Sequence, residues 1–452
     1  MSHQPALLLL AVVAIALGLA SLAGCDTDRV PLPPNVVFIL TDDHRHDALG
    51  CAGHPWIRTP NLDRLADEGI RFTSAFVTTS LCSPSRASFL TGLYAHRHGV
   101  TRNEHADLSR SLPTIAQLLQ NAGYETAFIG KWHMARWSTP RQGFDHWVSF
   151  NRQGDYLKNT LNVDGRWVLS ERYVTDELTD RALAFLDHER DRPFLLILSH
   201  KAVHAPFLPA PRDTGLYTDA TIAPVTTPPG GTAGKPDWGS RRPDFDQVSF
   251  QREYARTLAA VDTSVGRILD RLDELGLLDE TVVLYAGDNG FLSGEHGGLV
   301  DKRAAYEPSI RIPLLMRYPP RVPRGRVCEE LVLNIDLAPT VVELAGLAVP
   351  AGMQGASWLP LLAGAPGRHA ILYEYFAEEG PVPTTLAVRT RDWKLITFPL
   401  DPGLPEELYD LQADPDEHRN LAADPAHAKT LANLRAELVS LQEETDFTMI
   451  HH

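Results

Sequence analysis

Two short acidic segments are the residues of this sequence with the most distinctive chemistry. Asp42 and Asp43 follow one apolar run, and Asp288 and Asn289 follow another. Three carboxylates brought together repel one another unless a cation lies among them, and ligation by oxygen alone favours Ca²⁺, with Mg²⁺ as the alternative, over zinc. Either pair alone is better explained as the polar end of a strand. Together they predict a divalent cation site.

The segment LCSPSRASFLTG predicts a short helix with a reactive position at its amino end. Ser83 can cap this helix, Pro84 suits its first position, and Gly92 ends it. Cys82 then lies just outside the first turn, where free N–H groups and the helix dipole favour an anion, and Arg86 can reach back toward it. Whether Cys82 acts as a thiol or as a product made from it is open at this point.

Paired histidines raise the question of a zinc site. The pairs are His44 with His46 and His96 with His98. No thiolate or glutamate partner is arranged around them, so we interpret all four as structural or supporting residues. In the segment GKWH, Lys131 and His133 alternate at the end of a predicted strand, and they point the same way if that strand continues.

The acidic balance of the chain limits its partners. The 452 residues carry a formal net charge of −15, with 44% hydrophobic and 22% charged residues. This composition is typical of a globular protein, and the length predicts one large domain with a smaller one. Nucleic-acid binding through a broad basic surface is not expected, and an anionic ligand needs a local cationic pocket.

The first 24 residues have the pattern of a lipoprotein signal peptide. The apolar run ALLLLAVVAIALGLA is followed by LAGC, which ends at Cys25. We predict that residues 1–24 are removed, that Cys25 carries a lipid, and that residues 25–34 form a tether. The protein would then be exported and anchored to a membrane, facing the periplasm. No basic residue precedes the apolar run, and an uncleaved anchor helix and plain secretion are the alternatives.

Cysteine usage leaves the state of two residues open. With a lipid on Cys25, three cysteines remain, an odd number that flags a leftover thiol in an oxidising compartment. If other chemistry consumes Cys82, then Cys51 and Cys328 can pair with each other or stay buried as thiols.

Strands and helices alternate along the chain, which predicts a largely parallel α/β sheet. Buried strands are predicted in NVVFILTD, YETAFIGKWH, PFLLILSHKAVH and TVVLYAGDNG. Ligands gather at the carboxyl ends of such strands, where both acidic pairs lie. Residues 205–248, rich in Pro, Gly and Thr, predict a long loop near that edge. Short strands and a Leu-rich helix predict a small α+β domain with an antiparallel sheet over 366–452, after a catalytic domain over 35–365.

Several separated motifs, in order, resemble those of the type I, formylglycine-dependent sulfatases. They are TDD, CSPSR with ASFLTG, GKWH, HAPF, GDNG, GEHGGLVDKRAAYEPSIRIPLLMRYP and the tail ELYDLQADPDEHRNLA. The resemblance covers nearly the whole mature chain. It implies an alkaline-phosphatase-like sandwich, in which helices flank a large, mostly parallel sheet. It also implies that a formylglycine-generating maturation enzyme oxidises Cys82 to formylglycine, an aldehyde.

The resemblance also assigns roles in binding and attack. It implies that the hydrated aldehyde binds one Ca²⁺ and attacks sulfur in line. The implied ligands of this cation are the hydrate at Cys82 and the side chains of Asp42, Asp43, Asp288 and Asn289. Arg86 would hold the hydrate. Lys131 and Lys302 would neutralise the sulfate oxygens as charge moves toward the leaving group.

The proton transfers implied by the resemblance use histidines. His204 with Lys302 would protonate the departing alcohol, and His200 is a competitor for the role of His204. His133 would deprotonate the second hydroxyl of the hydrate, which then expels sulfate and restores the aldehyde.

The substrate is predicted from a narrower resemblance. The stretches AFVTTSLCSPSRASFLTGLYAHRHGV and GFDHWVSFNRQGDY are most similar to the N-acetylglucosamine-6-sulfatase branch. They imply a sugar 6-O-sulfate of a sulfated glycan, with specificity residues in the loop 205–248 and the carboxyl-terminal domain. One alternative is a phosphonate or phosphate monoester hydrolase of the same superfamily, and another is an inactive glycan-binding lipoprotein.

Overall fold

A computed structural model gives the architecture of the chain. It describes residues 33–103, 107–134, 137–237, 242, 244–378 and 381–450. The predicted signal peptide and the lipidation site at Cys25 lie outside the described residues, so both stay predictions. Within the described part of the chain, no helix is both long enough and apolar enough to cross a bilayer.

One large sheet of ten strands positions the chemistry. Its five central strands are parallel, while antiparallel pairings occur only toward its two ends. In spatial order the strands are Arg326–Cys328, Ile70–Phe72, Leu314–Arg317, Thr281–Gly287, Asn35–Thr41, Phe194–Ser199, Glu125–Lys131, His146–Phe150, Asn159–Val163 and Arg166–Ser170. This arrangement confirms the predicted large, mostly parallel sheet.

Apolar side chains cover both faces of the sheet. Along the central strand, Val37 and Ile39 pack into one core, and Val36, Phe38 and Leu40 pack into the other. A strand buried on both faces reads as a continuous apolar run, which is why NVVFILTD was recognisable in the sequence. The α-helices are Pro60–Asp67, Cys82–Thr91, Ala95–His98, Ile115–Asn121, Val174–Leu186, Gln247–Glu274, Glu295–Gly298, Glu307–Ile310, Leu337–Leu344, Leu359–Leu362 and Ala428–Glu444.

Short elements complete the connections. The two-stranded pairs join Ala75–Phe76 with Val332–Leu333 and Leu292–Ser293 with Val300–Asp301. Single 3₁₀ turns lie at Pro211–Asp213, Leu278–Glu280, Asn334–Asp336 and Pro425–His427. Among the described residues of 205–248, the turn Pro211–Asp213 is the one helical element before the long helix begins, so the predicted long loop is confirmed for that part of the chain.

The helix Cys82–Thr91 differs from its prediction at its amino end. It begins at Cys82, after Leu81 in extended conformation, and no side chain caps it. The predicted cap at Ser83 is therefore wrong, because the Ser83 hydroxyl donates to the carbonyl of His133 instead. Gly92 ends the helix as predicted, with a φ of 68° and its N–H donating to the Ser88 carbonyl at 2.9 Å. Cys82 thus lies inside the first turn.

The carboxyl-terminal region forms a separate, four-stranded antiparallel sheet, as predicted. Its strands are Ala370–Tyr375, Thr385–Thr390, Trp393–Thr397 and Glu407–Asp410. Leu431, Leu434 and Leu438 of the last helix pack into the core of this region, which also includes Leu81 and Tyr306 from near the predicted catalytic residues. The predicted boundary between 365 and 366 stays a prediction.

The three cysteines in the described part of the chain are all unpaired. Cys82 and Cys328 are buried, and Cys51 is half-buried. Of the two alternatives left open by the sequence, the structure therefore shows separate thiols at Cys51 and Cys328.

Candidate active site

The two acidic pairs meet at the carboxyl ends of neighbouring parallel strands. Thr41 and Gly287 are in register, so the residues that follow them lie side by side. The Asp43 N–H donates to Asp288 Oδ1 at 3.0 Å, and Asp43 turns the chain with a φ of 53°. Asp42, Asp43, Cys82 and Asp288 each offer a ligand atom within 4.8 Å of the others. The structure thus brings the predicted cluster together.

One side-chain amide at this cluster is only partly hydrogen-bonded among the described residues. The Asn289 amide nitrogen donates to Asp43 Oδ1 at 2.6 Å and to the Gly290 carbonyl at 2.8 Å. Asn289 Oδ1 is buried and makes no hydrogen bond among the described residues. A buried polar atom without a partner is unusual in a folded protein. Three carboxylates beside a free amide oxygen are the donor set of a hard divalent cation, so these residues fit one.

The electrostatics of the cluster favour the same interpretation. Burial and the charges of Asp42 and Asp288, against the opposing effect of Lys302, together raise the pKa of Asp43 to about 7. Burial and Asp42 also raise the pKa of Asp288. A bound cation would favour the ionised carboxylates.

Cys82 is enclosed by charged groups. Its thiol donates to Asp42 Oδ1 at 3.4 Å, and Lys302 Nζ lies 3.2 Å from its Sγ. The side chain is fully buried. Burial and the negative charge of Asp42 raise the pKa of the thiol well above its ordinary value, so the reactive thiolate is disfavoured here.

Arg86 is buried and fixes one of the acids. Its Nε donates to Asp288 Oδ2 at 2.8 Å, and its Nη1 donates to the Lys131 carbonyl at 2.7 Å and to Ser199 Oγ at 2.6 Å. Its guanidinium thus binds Asp288, which lies in the same cluster as Cys82. Arg86 therefore ties the helix Cys82–Thr91 to the strand ends that carry the cluster.

Two buried lysines complete the charge balance. Lys131 Nζ contacts Asp42 and the Gln153 side-chain oxygen, and Lys302 Nζ lies 2.5 Å from Asp43 Oδ1. With Arg86, they place three positive groups against three carboxylates. These basic side chains therefore offset part of the repulsion between the carboxylates. From the sequence, that role is expected of a metal ion alone.

The histidines separate into two groups. His204 Nε2 lies 3.9 Å from Asp43 Oδ2, and its ring comes within 4.8 Å of Cys82 Sγ. His133 Nδ1 lies 3.3 Å from Ser83 Oγ, next to Cys82. Burial lowers the pKa of His204 to about 2 and that of His133 well below its usual range. His200 instead contacts Ser264 Oγ at 3.1 Å within the core, which leaves His204 as the candidate at the site.

Three of the four paired histidines are structural, as interpreted. His44 contacts the Tyr285 hydroxyl at 2.6 Å, His96 contacts Glu374 at 2.7 Å, and His98 contacts Ser88 Oγ at 3.1 Å. His46, the fourth, has its Nδ1 buried without a hydrogen bond in the described part of the chain. None of the four belongs to the cluster of possible metal ligands described above.

A cavity of about 690 Å³ opens over the cluster. Asp43, His204 and Lys302 line one part of it, and the long loop contributes Arg242. The carboxyl-terminal region contributes Pro381 and Val382. Both regions predicted to carry specificity residues therefore reach the cavity wall.

Four polar residues of this cavity were missed in the sequence. They are Asn103, Gln153, Asp301 and Arg303. Asn103 Oδ1 accepts a hydrogen bond from the Ser83 N–H at 3.0 Å, and Arg303 pairs with Glu378 at 2.7 Å. A single amide side chain belongs to no spaced motif, so the sequence gives no signal for Asn103 or Gln153. The positions of Asp301 and Arg303 on either side of Lys302 were the one available signal.

Comparisons with known proteins agree with this geometry. The sulfatase family model matches residues 34–347, and the model of the N-sulphoglucosamine sulphohydrolase carboxyl-terminal region matches residues 294–444. The chain is 35% identical to the N-acetylglucosamine-6-O-sulfatase of Bacteroides thetaiotaomicron, over 98% of this chain and 91% of the relative. It is 31% identical to human N-acetylglucosamine-6-sulfatase, over 98% of this chain and 89% of the relative.

A solved structure shows the same fold. It is that of an enzyme in complex with its substrate, D-glucosamine-2-N,6-O-disulfate. The TM-score is 0.83 at 32% identity, and the match covers 92% of this chain and 98% of the other. This likeness confirms the predicted alkaline-phosphatase-like architecture. The chain belongs to the sulfatase family and is a sulfuric ester hydrolase.

Proposed function

We propose that this sulfatase removes the 6-O-sulfate of an N-acetylglucosamine-type sugar in a sulfated glycan. The observation that carries the proposal is the near-complete match to two relatives named for that reaction. The cavity over the acidic cluster supports it, because its basic side chains, Arg242, Lys302 and Arg303, outnumber the acids Asp43 and Asp301 within an acidic protein.

We further propose that Ca²⁺ occupies the cluster and that Cys82 is converted to formylglycine. The proposed ligands are the modified Cys82, Asp42, Asp43, Asp288 and the free Oδ1 of Asn289. When bound, the cation supplies positive charge beside the nucleophile, and formylglycine supplies the nucleophilic oxygen. The three basic side chains already balance the three carboxylates, so a divalent cation leaves the site positive for an anionic ester.

The side chains of the site have distinct roles in this proposal. Lys302, at 3.2 Å from Cys82 Sγ, and Lys131 neutralise sulfate oxygens as negative charge moves to the leaving group. Arg86 holds Asp288 in place. His204 lines the open cavity and donates the proton to the departing alcohol from Nε2. A bound sulfate ester raises the pKa of His204 by adding negative charge beside the ring. His133, whose Nδ1 lies 3.3 Å from Ser83 Oγ, is the proton acceptor next to Cys82.

Sulfate release from N-acetylglucosamine 6-sulfate tests the proposal. The protein is produced together with a formylglycine-generating enzyme and assayed with Ca²⁺ or Mg²⁺. p-Nitrophenyl sulfate and phenyl phosphonate serve as comparison substrates. We expect the highest kcat/KM on the sugar. Turnover of the aryl sulfate alone would refute the sugar assignment, and equal rates on phosphonate and aryl sulfate would favour the phosphonate hydrolase alternative.

Mass spectrometry tests the state of Cys82 directly. The tryptic peptide 72–86 contains this residue. We expect the mass of formylglycine in protein produced with the maturation enzyme. An unmodified cysteine in a preparation with full activity would contradict the proposed nucleophile.

We also propose export and attachment to a membrane through a lipid on Cys25, facing the periplasm. The support is the order of an apolar run, small residues and cysteine near the start of the chain. Replacing Cys25 with serine is expected to move the protein from the membrane fraction to the soluble periplasmic fraction. A membrane-bound Cys25→Ser protein would favour the uncleaved anchor.

A further inference from the structure

We propose that a second cavity, beside the catalytic one, binds a neutral sugar ring next to the sulfated sugar. The inference rests on the proposed function, because it assigns a place to the next unit of the same glycan. This second cavity has a volume of about 170 Å³, the space of about six water molecules, which suits one pyranose ring.

The two cavities share part of their wall. Phe250 and Phe291 line both of them, with their rings stacked at 22° and their centroids 5.9 Å apart. The hydroxyl of Tyr254, another residue of the second cavity, donates to the Asp43 carbonyl at 3.0 Å. The second cavity therefore adjoins the catalytic cavity, on the side where Tyr254 contacts the backbone of Asp43.

Aromatic rings form much of the second cavity. In addition to the two phenylalanines, Trp56 and Tyr254 line it. Trp56 is held by edge contacts with His54, at 5.0 Å between ring centroids, and with Tyr217, at 5.4 Å. Ring faces in a small cavity with few polar groups offer contact area to the C–H face of a pyranose, while its hydroxyls need separate partners.

The second cavity also contains polar groups that can form hydrogen bonds with the hydroxyls of a sugar ring. The Gln251 side chain lines the cavity, and its buried nitrogen makes no hydrogen bond among the described residues, so a rotation of this side chain would present an unused donor to a ligand oxygen. Asp47 accepts from Arg45 at 2.9 Å and 2.8 Å, and its side chain is 45% exposed. Its carboxylate retains capacity to accept from a hydroxyl.

The charge of the second cavity favours a neutral unit over a sulfated one. Arg45 is engaged by both Asp47 and Glu295, the latter at 2.7 Å, so its positive charge is more than balanced. Burial lowers the pKa of His54, which therefore adds no positive charge near neutral pH. The lining of the catalytic cavity, in contrast, has three basic side chains, Arg242, Lys302 and Arg303, against the two acids Asp43 and Asp301. A sulfated or carboxylated ring would be repelled from the second cavity.

The test compares substrates of different length and charge. One substrate is N-acetylglucosamine 6-sulfate. The second is the disaccharide in which this sugar is β1,3-linked to galactose, and the third carries glucuronic acid in place of galactose. We expect kcat/KM on the galactose disaccharide to exceed that on the monosaccharide by on the order of tenfold, with a smaller gain for glucuronic acid. Equal values for the first two substrates would overturn the inference.

Substitutions in the second cavity test whether this cavity causes the gain in kcat/KM on the galactose disaccharide. Gln251→Ala and Trp56→Ala are each expected to remove most of the gain on the galactose disaccharide while the monosaccharide rate stays the same. Trp167→Ala is the matched control, because this tryptophan is 44% exposed on the last strand of the large sheet. It should retain the gain. A gain that survives in both cavity variants would refute the assignment.

Direct binding separates this inference from the proposed function. Saturation-transfer NMR is recorded with the unsulfated N-acetylglucosamine–galactose disaccharide and the intact protein. We expect signal on the galactose protons with the wild type and none with Gln251→Ala. If no sugar sulfate is hydrolysed but this contrast is present, the proposed function fails and the second cavity stands. Equal signal from both proteins would overturn the second cavity alone.

Discussion

Lys302 belongs to one buried cluster of charged residues, and a second buried cluster lies a few residues further along the chain. The hydrogen-bonding groups of the two clusters are satisfied in different ways. In the catalytic cluster, Asp42, Asp43 and Asp288 face Lys131, Lys302 and Arg86. The Asn289 side-chain oxygen among them has no partner in the described part of the chain. The three acidic and three basic side chains of this cluster balance in charge, while the Asn289 oxygen is left without a hydrogen bond from the described residues.

The second cluster, which we call the support cluster, consists of Glu307, Arg389, Lys394 and Glu417. Lys394 Nζ lies 2.8 Å from Glu307 Oε1 and 2.6 Å from Glu417 Oε1, and it donates to the Ala305 carbonyl at 3.0 Å. Arg389 donates to both oxygens of Glu307. Glu417 Oε2 accepts from the Glu307 N–H at 2.7 Å. Here both carboxylates are occupied by protein donors.

The difference shows two uses of buried charge. Where protein donors satisfy all the carboxylate oxygens, as in the support cluster, the charges fix a segment of chain and leave no place for a ligand. Where one buried oxygen is left over, as at Asn289, the same kind of cluster fits a cation. The support cluster lies in the small antiparallel sheet and at residues 305–307, so the carboxyl-terminal region helps to fix Lys302.

Replacing the central residue of the catalytic cluster should have the largest effect. Cys82→Ala is expected to lower kcat on any sulfate ester by at least about 10⁴-fold, because the nucleophile is removed. Sugar binding, measured by equilibrium titration, should be retained. Cys51→Ala is the control, since Cys51 is half-buried and remote from the cluster. Turnover by Cys82→Ala at the wild-type rate would refute the proposed mechanism.

Loss of one acid from the catalytic cluster should weaken the cation site. Asp288→Asn is expected to raise the Ca²⁺ concentration for half-maximal activity by at least about 100-fold, since a charged ligand is lost and Arg86 loses its partner. Thermal unfolding gives a second readout, because Ca²⁺ should raise the Tm of the wild type and not that of the variant. Asp270→Asn, at an exposed aspartate, is the control. An unchanged Ca²⁺ response in Asp288→Asn would place the cation elsewhere.

Removing the lysine at the centre of the support cluster should lower the free energy of unfolding without changing the response to Ca²⁺. Lys394→Met leaves Glu307 and Glu417 without their shared partner and is expected to cost about 3–5 kcal/mol of unfolding free energy. Denaturant unfolding measures this change. Arg391→Ala is the control, because its ion pair with Glu330 is exposed and should contribute less than about 1 kcal/mol. Equal effects of the two substitutions would show that the support cluster adds nothing beyond a surface pair.

A smaller effect is expected on the pH dependence of the free energy of unfolding. Glu407 accepts from the Tyr306 hydroxyl at 2.8 Å beside the support cluster, and burial raises its pKa to about 7. A carboxyl whose pKa is higher in the folded state stabilises the fold when protonated. Its contribution is therefore complete below the unfolded pKa of about 4.5 and is lost as the pH rises through about 7. The loss amounts to at most about 3 kcal/mol.

Glu407→Gln should remove this pH dependence. The variant keeps a neutral side chain of the same shape, so we expect its stability to be flatter than that of the wild type between pH 4.5 and 7. Urea unfolding at several pH values measures the slope. Glu406→Gln, at the neighbouring residue, is the control and should behave as the wild type. Identical slopes for wild type and Glu407→Gln would contradict the raised pKa.

The parts of the molecule that the sequence predicted share a physical basis. A strand covered on both faces must be a continuous apolar run, and its polar end must lie at the edge of the sheet. Asp42 and Asp288 could therefore be placed together without a structure. The helix end at Gly92 was equally accessible, because a left-handed residue there favours glycine.

The features that were missed depend on distant parts of the chain. Ser83 has the local chemistry of a helix cap, but the carbonyl of His133 uses its hydroxyl. Gly130 has a φ of 127°, and a Cβ there would lie 1.8 Å from the Ser199 carbonyl oxygen, a close approach that no local pattern reports. Gln153 likewise reaches Lys131 only in the folded sheet. Contacts of this kind arise from packing and not from spacing in the sequence.

The complete burial of the helix Cys82–Thr91 imposes an order of events during biosynthesis. All ten of its residues are buried and Cys82 is fully so, which keeps a modifying enzyme from reaching Cys82 once the large sheet has closed around it. Under the proposed conversion to formylglycine, modification and folding compete for the same newly made chain. Slower folding would then raise the modified fraction, and a chain that folds first would be stable but permanently inactive.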